Sequence, residues 1–152
     1  MKILVSACLL GKNCKYNGEN NFSEKIAKLA EKNELIPVCP EVLGGLPVPR
    51  KPCEIVSTNE DNEIKAFDVI TKDGISCKKE YLQGAEKALK IALEKKIDFA
   101  ILKSRSPSCG KGFVYDGTFS HTLKEGNGIF ANLLLENNIK TFTEEDEYGI
   151  QN

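Results

Sequence analysis

The sequence predicts an open α/β domain, and three observations carry that expectation. Short apolar runs, several rich in β-branched residues, recur at "KILVSA" (2–7), "ELIPVCP" (34–40), "IDFAILK" (97–103) and "IKTFT" (139–143). Segments with apolar residues at helical spacing separate them, and loops rich in Gly, Asn and Pro punctuate the chain. Strands that are nearly unbroken apolar runs and alternate with helices belong to a parallel sheet covered on both faces.

In chain order, 2–7 reads as a buried strand that stops at Cys8, and "CLLGKNCKYNGENNF" reads as a loop. "SEKIAKLAEKN" then has apolar residues at 26, 27, 29 and 30, with Ser23 placed to cap a first helix. The second strand ends at Cys39, and the stretch beyond it, through Gly44, Gly45 and several prolines to Pro52, reads as irregular. "CEIVST" and "IKAFDVIT" flank "NEDNE" as a hairpin or edge excursion. "KEYLQGAEKALKIALEKK" sets Tyr81, Leu82, Ala85, Ala88, Leu89, Ala92 and Leu93 on one face of a long helix, with Cys77 near its start. A third strand leads into a long loop over 104–128, followed by a short helix in "GIFANLLLENN", a fourth strand and a polar, peripheral "EEDEYGIQN". Too few strands are present for a barrel. A single 1–152 domain follows, a three-layer αβα arrangement with an open, mostly parallel sheet of Rossmann-like type.

The charge is balanced, with 21 basic and 22 acidic side chains and a formal net charge of -1, so nothing draws the chain to a nucleic-acid polymer or to anionic lipid. The N-terminal apolar run is too short for a secretory signal or a membrane span, which leads to a cytoplasmic expectation. Six cysteines, at 8, 14, 39, 53, 77 and 109, are then out of place as disulfides.

Three of them fall where chemistry collects in such folds. Cys8 follows the first strand, Cys39 ends the second, and Cys109 lies in the loop leaving the third. The carboxyl ends of parallel strands share one edge, where ligands bind, so thiols distant in sequence would meet there. A disulfide, buried cysteines acting as small hydrophobes, and a metal site all remain open at this point. Zinc sites usually show a close CxxC pair, which this chain lacks, whereas iron-sulfur clusters accept dispersed thiolates.

"VSACLLG", "CPEVLGGLPVPR", "AILKSRSPSCG" and "YDGTFS", in this order and nearly end to end, resemble the thiouracil desulfurase family. The resemblance implies a 4Fe-4S cluster held by Cys8, Cys39 and Cys109, with one iron not ligated by protein. It further implies non-redox desulfuration of a small thiolated nucleobase or nucleoside, such as 2-thiouracil, to uracil and sulfide. An acidic residue and a serine assist in that family, and they fall on Glu41 and on Ser106 or, second, Ser108. Lys103 and Arg50 are candidates for substrate binding, and Gly44 and Gly45 for bringing backbone N–H groups to cluster sulfides. Glu41 as a helix or loop cap, the serines as turn formers and Lys103 as a plain strand-end lysine are the simpler readings.

Cys14 and Cys53 stand where relatives often carry other residues, yet Cys14 is six residues from Cys8 and could serve as a fourth ligand. His121, where the family tends to show glycine, reads as incidental. Two other classes compete: a non-catalytic iron-sulfur or redox-sensing binding module, and a zinc-binding or metal-free fold that binds a nucleotide.

Overall fold

The computed structural model describes residues 1–57 and 67–147. The chain opens on β1 (Lys2–Ser6), tightens into a 3-10 turn (Ala7–Leu10), and after a loop forms α1 (Glu24–Ala27), which runs on as a second 3-10 turn (Lys28–Glu31). Next come β2 (Glu34–Val38), the one-turn helix α2 (Pro40–Leu43), β3 (Cys53–Ser57), β4 (Phe67–Thr71) and the long helix α3 (Lys78–Lys95). The last third holds β5 (Phe99–Leu102), β6 (Phe113–Tyr115), β7 (Leu123–Glu125), α4 (Ile129–Glu136) and β8 (Thr141–Thr143).

Strands β2, β1, β5 and β8 pair in that order, every neighbour parallel. Side chains alternate across a strand, so Leu4, Ala100 and Leu102 join α3 and α4 on one face while Ile3, Val5, Phe99 and Ile101 meet Ile26 and Leu29 on the other. The expected three layers are therefore present, and burying each such Leu or Ile contributes about 1.5–3 kcal/mol. Two small antiparallel hairpins, β3–β4 and β6–β7, stand beside this sheet. No helix among the described residues is long and apolar enough to cross a membrane.

Several elements differ from the sequence reading. The first helix starts as expected, with Ser23 Oγ accepting the Ile26 N–H at 3.4 Å, but it tightens after one turn; Asn33 Nδ2 donates to the Leu29 carbonyl at 2.9 Å and closes it. The segment after Cys39 is regular for one turn, because Pro40 occupies the first helical position, where a missing N–H costs nothing. On α3 the inward stripe is Tyr81, Gly84, Ala85, Ala88 and Ala92, while Leu82 and Leu93 are exposed. The 104–128 loop contains the β6–β7 hairpin, and the 53–71 hairpin is as expected, its "NEDNE" connection lying outside the described residues. The "EEDEYGIQN" tail is peripheral only in part: Glu144 and Glu145 bind the loop after β5, and 148–152 lie outside the described residues.

The small residues of α3 let α2 approach closely. A Cβ on Gly84 would sit 1.8 Å from the Pro40 carbonyl oxygen, and one on Gly44 would sit 1.9 Å from the Glu80 carbonyl oxygen. The contact explains Gly44, and a left-handed φ of 96° explains Gly45, better than an approach to a cofactor does: their N–H groups are spent on the Pro40 and Val42 carbonyls. Gly84→Ala gains about 1 kcal/mol in helix propensity and loses about 1–3 kcal/mol to overpacking against backbone that cannot rotate away. The expected result is a net loss of stability and a lower Tm in thermal unfolding, with α2 displaced; an unchanged or higher Tm would show that the contact is loose.

Candidate active site

Strand ends β2, β1 and β5 open into a cavity of about 570 Å³, and Cys8, Cys39 and Cys109 all line it. Each thiol is delivered by a different local device. Cys8 sits in the 3-10 turn after β1, where its carbonyl accepts the Gly11 and Asn21 N–H groups at 3.2 and 3.0 Å. Cys39 is the N-cap of α2. Cys109 rides in a loop whose carbonyls cap α4: Pro107 O accepts from Ile129 N at 2.9 Å, and Ser108 O accepts from Phe130 N at 2.9 Å.

Close packing of that loop requires two glycines. A Cβ on Gly128 would lie 2.5 Å from the Ser108 carbonyl, and one on Gly110 would lie 2.7 Å from the Ser106 carbonyl oxygen. Ser106 Oγ accepts the Ser108 and Cys109 N–H groups at 3.1 and 3.0 Å, fixing the turn that presents the thiol. Ser106 also lines the cavity. Ser108 is 1% exposed, behind the cavity wall, with its Oγ 3.9 Å from Cys109 Sγ.

Burial pushes the Cys109 thiol well up, and the Glu41 carboxylate and the other two thiols add to the effect. Burial raises Cys8 as well, against a hydrogen bond from Asn21. Cys39 is instead held below the usual thiol range by a hydrogen bond from the Cys14 thiol, which is itself driven upward by that contact. Among the described residues no three His, Cys, Asp or Glu side chains are grouped tightly enough for a single metal ion. A zinc ion, with Zn–S near 2.3 Å, needs its sulfurs almost touching. A cluster takes one thiolate per iron and spreads them, so three separated thiols around one cavity fit a cluster and not a lone ion. Such a centre would also supply the positive charge that sulfur needs in order to ionise in a buried place.

Glu41 projects from α2 beside these thiols, its Oε2 3.9 Å from Cys39 Sγ. Arg50 grips the same oxygen at 3.1 Å, and both side chains are largely withdrawn from water, 8% and 13% exposed for Arg50 and Glu41. The guanidinium also donates to the Cys14 and Pro47 carbonyls at 2.9 and 3.3 Å, and the Arg50 N–H donates to Tyr16 O at 2.7 Å. Glu41 Oε1 is buried and has no hydrogen-bond partner among the described residues.

Over residues 3–146 the chain matches the 2-thiouracil desulfurase family. It belongs to that family. The uncharacterized protein YbbK of Bacillus subtilis (strain 168) is 42% identical over 145 residues, covering 95% of this chain and 96% of YbbK. A solved structure of the 4Fe-4S-dependent thiouracil desulfidase TudS superposes with a TM-score of 0.83 at 39% identity, over 95% of this chain and 91% of TudS.

The other candidate residues are distributed around the same cavity. Lys103 lines it, with its Nζ held by Glu144 Oε1 at 2.9 Å and Ser104 Oγ at 3.1 Å. Arg50, a candidate for touching substrate, points its donors at Glu41 and at carbonyls. Cys14 is on the cavity wall beside Cys39. Cys53 is there too, its thiol pushed up to about 12 by burial and by a contact with Cys77 at the start of α3. The "YDGTFS" segment forms the rim: Glu54 Oε1 accepts the Gly117 and Phe119 N–H groups at 2.9 and 3.2 Å. His121 lies on that rim against the Tyr115 ring.

Sequence reasoning passed over Ser6, Asn21, Tyr81, Ser104 and Glu144, all of which line the cavity or anchor residues that do. A lone serine at a strand end or an acid in a polar tail carries no periodic signal. Only Ser6, two residues before a candidate ligand, was placed to be found.

Breaking a withdrawn ion pair from one side leaves an uncompensated charge, at a cost of about 3–5 kcal/mol. Arg50→Met is expected to destabilise the fold by several kcal/mol in denaturant unfolding, and adding Glu41→Gln should recover much of the loss. A double variant no more stable than Arg50→Met alone would mean that the carbonyl contacts, not the pair, carry Arg50's effect.

Proposed function

We propose that this protein desulfurates a small thiolated nucleobase, such as 2-thiouracil, or its nucleoside. The reaction is hydrolytic and non-redox: water oxygen replaces sulfur on the ring carbon, and uracil and sulfide leave. A 4Fe-4S cluster held by Cys8, Cys39 and Cys109, with one iron lacking a protein ligand, would offer a Lewis-acidic position suited to soft sulfur. The observation that carries this reading is the meeting of three thiols with the unpartnered Glu41 Oε1 at one cavity. TudS, similar over nearly the whole chain, is a 4Fe-4S-dependent thiouracil desulfidase.

The chain's own side chains have separable tasks. Arg50 fixes Glu41 Oε2, which leaves Oε1 to take a proton from the attacking water. Ser106, its Oγ lone pairs engaged by two backbone N–H groups, directs its proton into the cavity, where it donates to the substrate. Ser108, behind the wall, does not reach a ligand there. Lys103 places a positive charge at the cavity, held there by Glu144. All six cysteines are free, which suits the reducing cytoplasm, the compartment proposed here.

A second reading, a cluster-bearing module without turnover, draws on Cys14 at the cavity wall, where a fourth thiolate would close the vacant iron. Protein purified without oxygen is expected to be brown, to hold about four irons per chain and to release sulfide and uracil from 2-thiouracil. Cys109→Ala should abolish both colour and turnover. Glu41→Gln should keep the cluster and slow turnover by about 10²–10⁴-fold, the range for losing an acid-base group. Cys14→Ala that keeps cluster and turnover supports the enzyme, while loss of cluster on that change supports the module. Preparations colourless even after reconstitution with iron and sulfide would refute both.

A further inference from the structure

One stretch of chain supplies three rings to the cavity wall: Tyr115 at the end of β6, and Phe119 and His121 in the connection to β7. That connection is firmly held. Glu54 Oε1 on β3 accepts the Gly117 and Phe119 N–H groups at 2.9 and 3.2 Å, and a Cβ on Gly117 would lie 2.7 Å from Val56 Cγ1, so the backbone lies flush against β3. Across its neck the Asp116 N–H donates to the Thr122 carbonyl at 2.9 Å, and Asp116 Oδ1 accepts the Thr118 N–H at 3.0 Å.

Within this frame Phe119 and His121 both adopt left-handed backbone, with φ of 58° and 59°. That conformation is costly for a residue with a Cβ and unusual for a bulky one, and glycine would remove the cost. Strain of this kind persists where surrounding contacts over-determine it, and it gathers at ligand sites. His121 gains no compensating bond. Its imidazole is exposed, meets the Tyr115 ring edge-on with centroids 6.2 Å apart, and has no hydrogen-bond partner among the described residues. What the strained backbone achieves is the placement of two rings, two positions apart, on the cavity wall.

We propose that His121 is a specificity-determining residue that, together with Phe119, stacks on the planar ring of the incoming nucleobase. The proposal rests on the reading of this cavity as the nucleobase site and adds what recognises the ring itself. Stacking selects an aromatic ring over a saturated one and acts on binding, not on the step at the ring carbon.

The test measures binding of uracil and of dihydrouracil to anaerobically purified holoprotein by calorimetry, alongside kcat and KM for 2-thiouracil. The proteins compared are the wild type, His121→Gly, His121→Asn, His121→Phe and Phe119→Leu. Dihydrouracil keeps the polar groups of uracil and lacks its aromatic ring. His121→Gly, His121→Asn and Phe119→Leu are each expected to weaken uracil binding about fivefold or more, the lower end of what a base–aromatic stack supplies. KM should rise in step with kcat unchanged. His121→Phe should bind like the wild type, and dihydrouracil, weaker from the start, should be indifferent to every change. His121→Gly should also unfold at an equal or higher temperature, because strain is relieved, which separates lost stacking from lost structure. Unchanged uracil binding in His121→Gly would overturn the proposal, as would His121→Asn restoring what His121→Gly loses, the mark of a hydrogen bond. A wild type that binds uracil, with these losses in the variants, yet frees no sulfide from 2-thiouracil supports the stacking and overturns the desulfurase reading. Full turnover with variants that bind and react like the wild type overturns the stacking alone.

Discussion

The arrangement depends first on the contact between Arg50 and Glu41. Arg50 ties three segments that have no regular pairing with one another: its guanidinium holds α2 through Glu41, the 11–22 loop through the Cys14 carbonyl and its own proline-rich loop through Pro47, and its backbone N–H adds the Tyr16 carbonyl. Two charges removed from water gain little net stability over an apolar pair, because desolvation offsets most of their attraction. The contact therefore acts through position. It orients one carboxylate oxygen and leaves the other with no partner among the described residues, in the cavity that the three thiols line.

Hydrogen-bond satisfaction does comparable work on the other side of the cavity. The loop from Ser104 to Gly110 has few apolar side chains to bury, yet its polar groups are matched nearly one for one. Ser104 N and Oγ reach Glu144 at 2.7 and 2.6 Å, Arg105 pairs with Glu145, and Ser106 caps the turn from within. A segment held this way keeps its shape only if the contributors are all present, and they come from the loop itself and from Glu144 and Glu145 beyond β8.

The sheet was readable because its strands are buried on both faces and so appear as unbroken apolar runs, and the three thiols were readable because each stands at the end of such a run. Chain order and strand direction alone place Cys8, Cys39 and Cys109 at one edge. Other features depend on distances that sequence spacing does not encode. The α2 turn escaped notice because glycine and proline usually signal loops, and here Gly44 serves a helix-to-helix contact with α3. Leu82 and Leu93 fit the helical period yet face outward, since small residues line the side that must lie flat against α2 and the sheet. The C-terminal acids looked like solvated charge until their partners 40 residues upstream were in view.

In many α/β proteins the first turn of a helix beside the sheet edge offers its free amides to a phosphate. Here the amides opening α4 are consumed internally, by the carbonyls of Pro107 and Ser108. The start of α4 therefore serves as a mount for the loop that carries Cys109 rather than as an anion cradle. A negative group on an incoming molecule would instead meet basic side chains of the cavity lining, Lys15, Lys51 and Lys72 among them.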